Sequence, residues 1–410
     1  MKQYSNFFNY KGGKNIGEGG FGCVFYPSIT CKGKEGKGKK YITKLQVHKE
    51  AAANEIRIGK RIKKIRHYPD YFAPVLSYCP IKQNKLEDGI VKECNALNID
   101  GDRTIISTKM TNINGTTLYK YFKNTTENGL KKTMHEIIYT FNYLVETFSI
   151  LIRHGIVHFD VKSQNIMFDT DKNIPILIDF GLSMYKKDME NETLMRKQFY
   201  GYYPEYYYWC PEIHILAYIY NENTELSTSI IKKICTDVVT KNRILNNSLD
   251  SQELNLYMEE LINNYTEKFE NKFNNDTEKF KKYLLSTYKT WDFYTVGLVY
   301  LDTIKLFNTK KNSEGKIRLL NLFKTMLLKI IRPNPEKRIE LIKFEDYIVN
   351  QMSEYKTEYE LDGDNIVDKY INGFVGFLNN IKDTPTEIQH KIDDNIFKSQ
   401  KISKIIDKQY

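Results

Sequence analysis

No feature of this chain narrows its fold more than a pair of polar clusters set at the two ends of a short apolar repeat. His158-Phe159-Asp160-Val161-Lys162-Ser163-Gln164-Asn165 leads into the apolar runs NIMFD (165–169) and IPILIDF (174–180), the second of which ends in Asp179-Phe180-Gly181. Two β-type runs around a polar turn at 169–173 read as a hairpin. Asp160, Asn165 and Asp179 are thereby expected in one cleft, together with Lys44 from far upstream.

Upstream of this hairpin the chain reads mainly as strands, and downstream as helices. Residues 14–26 suggest two strands around a glycine turn, and YITKLQ (41–46) a third. Between them the Gly- and Lys-rich stretch 31–40 has the composition of a flexible loop. A helix is expected over 49–65, and a strand from 104 with a polar turn at 112–115. The clearest helix spans 131–154, where Ile138, Phe141, Leu144, Val145, Phe148, Leu151 and Ile152 recur at the spacing of one buried face, with Gly155 as its stop. Helices also fill 213–290 and the stretch beyond 355. Strands first and helices after imply an α+β chain, a small β-rich part beside a larger helical one.

The residue types suit phosphoryl transfer. Ile16-Gly17-Glu18-Gly19-Gly20-Phe21-Gly22-Cys23-Val24 lies between strands, where missing side chains let backbone N–H groups approach phosphates. A dinucleotide-binding turn shares this glycine spacing but opens a helix, whereas here Val24, Phe25 and Tyr26 continue a strand. Most strand lysines are merely solvated, but Lys44 has Glu55 eleven residues on, inside a helix, as a partner to hold it. Glu50 is a rival for that pairing. A carboxylate to take the proton of the attacking hydroxyl and oxygen ligands for Mg²⁺ complete such a site. Asp160 fits the first role, and Asn165 and Asp179 the second.

In this order the motifs resemble those of eukaryotic-type protein kinases over about 10–350. GEGGFGCV is similar to the glycine-rich loop, YITK to the strand-three lysine motif, HFDVKSQN to the catalytic loop and DFG to the metal-binding motif. Cys210-Pro211-Glu212 stands where that family has Ala-Pro-Glu, Arg338 where it has the arginine pairing with that glutamate, and Asp292 where it has the buried aspartate bracing the catalytic loop. The resemblance implies a bilobal protein-kinase-like fold, with an N-lobe over about 10–113, a C-lobe over about 114–350 and a helical C-terminal extension over 351–410. It also implies ATP and Mg²⁺ as cofactors and Ser/Thr hydroxyls of a protein substrate as acceptors, with Lys162 steadying the γ-phosphate and favouring Ser/Thr over Tyr. A nucleotide-binding pseudokinase scaffold is the alternative, and small-molecule kinases usually lack the Pro-Glu anchor.

Four departures stand out. Phe159 replaces the family's arginine, which would meet a phosphate on the activation segment; ordering of 182–210 is instead expected from packing of Tyr200, Tyr202, Tyr203, Tyr206, Tyr207 and Tyr208. Ile42 takes the place of a small alanine over adenine. Gly59 falls where a bulky apolar residue is usual, which could loosen the helix carrying Glu55. The 80 residues from Glu212 to Asp292 hold a helical insertion at about 215–285 that could select substrates or be simple decoration.

The formal charge of +10 comes from lysines spread along the chain and does not point to nucleic acid. Six cysteines without a CxxC pair indicate neither a zinc site nor a redox motif, and favour a reducing intracellular setting. Nothing approaches the ~18 apolar residues needed to span a bilayer. A soluble protein is expected, and the Lys- and Asn-rich style resembles kinases of large DNA viruses of eukaryotes, which would place it in host cytoplasm or virion.

Overall fold

The computed structural model describes residues 13–338, apart from 20–21, 37, 98–102, 126–129, 223–224 and 307–313. All of them fall in the first of two compact units, Met1–Arg338. The helix expected beyond 355 lies outside the described residues, as do Gly20 and Phe21.

The upstream part is a five-stranded antiparallel sheet. Its strands are β1 (Lys14–Gly19), β2 (Gly22–Tyr26), β3 (Tyr41–Gln46), β4 (Ser77–Lys82) and β5 (Thr104–Thr111), in the order β1-β2-β3-β5-β4. On β2, Cys23 and Phe25 face inward, as period-2 alternation requires. Helix α1 (Lys49–Ile62) follows β3 and buries Ala52, Glu55, Ile58, Gly59 and Ile62 along one face. Gly59 is not a weak point: a Cβ there would meet the Val75 backbone at 3.2 Å, so the glycine lets α1 lie close against that segment.

Two disulfides cross this region, Cys23–Cys94 and Cys31–Cys79. They correct the expectation of a reducing setting, since such bonds persist mainly in oxidising environments. The pairs are 71 and 48 residues apart, and pairing at that range is not readable from local spacing. The stretch taken as a flexible loop is pinned at its start: Cys31 is bonded to β4, and Gly33 sits where a Cβ would be 2.1 Å from the Lys85 carbonyl oxygen.

Downstream, the helix Leu130–Arg153 packs against Trp291–Ile304, with Phe141 edge-on to Tyr300 and Phe148 edge-on to Phe293. The second helix is buried on nearly every side, so its sequence has no polar face. Gly155 takes φ 68°, the left-handed stop the sequence announced. The hairpin forms as expected from Ile166–Asp169 and Ile174–Leu177, joined on one edge by Gly115–Thr117.

The insertion is part of the helical core. Thr228–Thr240, Ser251–Glu267 and Thr277–Ser286 bury Ile231, Ile234, Cys235, Leu261, Tyr265, Phe280 and Leu284. Ser227, Asp250 and Asp276 cap their N-termini, Asp250 and Glu253 as a reciprocal box. Tyr265 donates to Glu212 at 2.5 Å, so the inserted segment helps build the anchor it interrupts.

Candidate active site

The chain brings Lys44, Glu55 and Asp179 together. Lys44 Nζ lies 2.7 Å from Asp179 Oδ1 and 3.3 Å from Glu55 Oε2, while Gln46 donates to that same Glu55 oxygen at 2.8 Å. This follows from local pattern: Lys44 and Gln46 share a face of β3, and Glu55 is the one carboxylate on the buried stripe of α1. Glu50, the rival, is exposed and pairs with Lys197 at 3.0 Å. Burial of Lys44 works to discharge it, but the Glu55 and Asp179 carboxylates outweigh this and hold the ammonium well above its ordinary range. Burial likewise works to raise Asp179, and Lys44 outweighs it, so the carboxyl is lowered and stays ionised.

Asp160, Lys162 and Asn165 form a second cluster. Lys162 Nζ is 2.8 Å from Asp160 Oδ2, and Asn165 Nδ2 donates to the same oxygen at 2.9 Å. The hairpin joins the two clusters. Asn165 precedes its first strand and its carbonyl accepts from the Ile178 N–H at 3.0 Å, one residue before Asp179. His158 Nε2 lies 2.9 Å from the Ile178 carbonyl oxygen, closing the base of the site.

Asp292 accepts from the main-chain N–H groups of His158 at 2.7 Å and Phe159 at 2.9 Å. Its burial pushes its carboxyl up, against the opposing pull of His158 and those two donors. The bracing holds an unusual backbone: Phe159 has φ 69° and Asp179 φ 61°, left-handed values that non-glycine residues seldom adopt and that gather at functional sites. The anchor pair is also closed, with Arg338 Nη2 2.9 Å from Glu212 Oε1, both side chains buried.

In the glycine turn, Ile16, Gly17, Glu18 and Gly19 line the exposed strand β1, and nothing lies within 4 Å of a Cβ placed on Gly17 or Gly19. Gly22, Cys23 and Val24 begin β2; a Cβ on Gly22 would stand 1.9 Å from the Leu45 carbonyl oxygen, so only glycine fits that crossing. Cys23 points into the core and is disulfide-bonded, which leaves only its backbone for any ligand.

Sequence reasoning passed over several participants. Asn54 donates to the carbonyls of Gly181 and Ser183, both at 2.9 Å, and Arg57 pairs with Asp188 at 2.5 Å, so α1 is tied to the segment after Asp179. That segment is ordered by its tyrosines only in part, since Tyr200 and Tyr203 are about half exposed. The stronger packing comes from Phe159 itself, whose ring meets Phe199 at 5.6 Å and Trp209 at 5.4 Å. Tyr206 reaches Asp160, donating to Oδ1 at 2.6 Å. Such long-range partners carry no local signal.

No protein-family model matches the chain. Among curated proteins it is 31% identical over 102 residues to serine/threonine-protein kinase 1 of African swine fever virus, covering 25% of this chain and 29% of that protein. A second isolate's kinase is 28% identical over the same length. Dual specificity protein kinase zakA of Dictyostelium discoideum is 30% identical over 135 residues, 31% of this chain and 17% of that protein. The chain thus spans less than a third of the length of the curated relatives it matches. Over these stretches, which hold part of the ordered motif set, the chain is similar to curated protein kinases.

Proposed function

We propose that this chain is an ATP-dependent protein kinase of bilobal build, its kinase domain over about 10–350, that moves the γ-phosphoryl group to Ser or Thr hydroxyls of a protein. The observation that carries the reading is Lys44 bridging Glu55 and Asp179 within a hairpin's reach of Asp160 and Asn165. A lysine held charged by two carboxylates suits phosphate oxygens, and Glu55 keeps it from swinging away. The donor set fits magnesium: a carboxylate and an amide are hard oxygen ligands. Bound between Asp179 and Asn165, Mg²⁺ would neutralise charge on the phosphates.

The remaining roles belong to the chain's own groups. Asp160 orients the acceptor hydroxyl and takes its proton. Lys162, already on Asp160, is placed to steady the transferred group and offset the growing negative charge. The glycine turn would lie next to the phosphates when nucleotide is bound, its missing side chains letting main-chain N–H groups approach them.

The test is transfer of labelled phosphate from Mg-ATP to a generic protein substrate. Asp160→Asn should lower kcat about 10³-fold while leaving ATP affinity within a few-fold. Asp179→Asn should lose transfer to a similar degree. Wild-type turnover in both variants would refute the site, and nucleotide binding without transfer by the wild type would favour a scaffold.

A further inference from the structure

Tyr206 lies 46 residues beyond Asp160 and is the one partner of its carboxylate that comes from the segment after Asp179, among the described residues. We infer that Tyr206 is a positioning residue: its hydroxyl fixes the Asp160 carboxylate and makes that base competent only when the 182–210 segment is folded. This rests on the proposed reading of Asp160 as the base.

Asp160 takes Asn165 and Lys162 on Oδ2 at 2.9 and 2.8 Å. On Oδ1 it takes Tyr206 at 2.6 Å and Lys162 at 3.1 Å. A lysine is a poor ruler, since its ammonium swings on a four-carbon stem. The two rigid donors, one amide and one phenol, therefore set the plane of the carboxylate from opposite oxygens. Tyr206 itself is held on both sides. Its N–H donates to the Tyr203 carbonyl at 3.0 Å, its carbonyl accepts from Trp209 at 3.2 Å, and its ring stands edge-on to Trp209 at 5.1 Å.

Trp209 then packs on Phe159, the residue directly before Asp160. Asp160, Tyr206, Trp209 and Phe159 thus form a closed circuit of contacts. Unfolding the segment removes both the phenol and the indole, and the base loses its orientation along with its neighbour's support. The circuit links segment folding to catalysis with no phosphate in it.

The experiment is steady-state kinetics of the full chain with Mg-ATP and a peptide substrate. Tyr206→Phe, which keeps the ring and loses the hydroxyl, should lower kcat about ten-fold with KM for peptide and ATP within two-fold, because the lost interaction orients the base rather than binds substrate. In the Asp160→Asn background the same change should alter the residual rate by less than two-fold, a non-additivity expected of groups that act as a unit. Tyr208→Phe, a neighbouring ring whose hydroxyl is not on Asp160, should leave kcat unchanged. An unchanged kcat in Tyr206→Phe overturns the inference. A raised kcat or lowered peptide KM also overturns it, showing that the phenol competes with the acceptor. Full activity in Asp160→Asn would instead remove the underlying reading, a result distinct from either. Should Tyr206→Phe melt below wild type, single-turnover rates at a temperature where both are folded decide the matter.

Discussion

The sheet region and the helical region solve the same problem with different chemistry. Around β1–β5, a thin apolar layer of Phe25, Leu45, Ile81, Ile90 and Ile105 is reinforced by two cross-links. In the helical region, Trp291, Tyr294, Tyr300 and Phe148 are all buried, and a deeply buried ion pair, Arg338 with Glu212, has Tyr265 and main-chain carbonyls as further partners. A small sheet buries too little surface to hold itself rigid, and covalent bonds supply the difference. A thick aromatic core can instead carry a charged pair, provided every polar atom has a partner.

The comparison breaks most sharply at Arg338. Arg338→Ala leaves Glu212 buried without its cation, and should cost about 3–5 kcal/mol in denaturant unfolding, with no sensitivity to reductant. A loss under about 1 kcal/mol would mean that the helical region does not depend on its anchor. In the sheet region, Cys94→Ala should cost about 2–4 kcal/mol and remove about half of the reductant sensitivity of the melting curve, the rest staying with Cys31–Cys79. Equal sensitivity in wild type and variant would remove the distinction between the two regions.

A pH series sharpens the helical side. Burial holds His214 down, from 6.5 to about 4, against the opposing pull of the main-chain acceptors of Tyr206 and Trp209 and of the Glu205 carboxylate. The unfolded chain therefore binds a proton that the folded chain refuses between those values. The stability from this group is complete above about pH 6.5 and is lost as pH falls to about 4, amounting to about 3 kcal/mol. His214→Gln should flatten the acid limb of stability against pH by that amount. The smallest effect concerns the segment between the regions: phosphatase treatment should change kcat by less than two-fold, since Phe159 is packed among rings where an arginine would have met a phosphate.

Much of this arrangement was legible in the residues. β3, the helix Leu130–Arg153 and the hairpin fall where period and turn chemistry put them, because each buries one face that its sequence already marks. Glu55 could be preferred to Glu50 because only the former lies on the apolar stripe of α1. What escaped was set by tertiary contact. β4 carries an interior proline at Pro80 and mostly exposed side chains, so no alternation reveals it. The cysteine pairs, the Asn54 and Arg57 ties and the Tyr206 contact join residues that have no relation along the chain. Gly59 looked like a defect because its reason, the close approach of Val75, lies outside the helix.

Cys23 gives the cross-linked sheet one further consequence. It stands two residues from Phe21 in the glycine turn and is bonded to Cys94, while Asn15 on the other strand donates to Glu93. The two strands that flank the glycine turn are therefore moored to the same short stretch of chain. A thiol reductant would cut one of these two ties and leave the other, so the hold on the glycine turn becomes partly a matter of redox conditions.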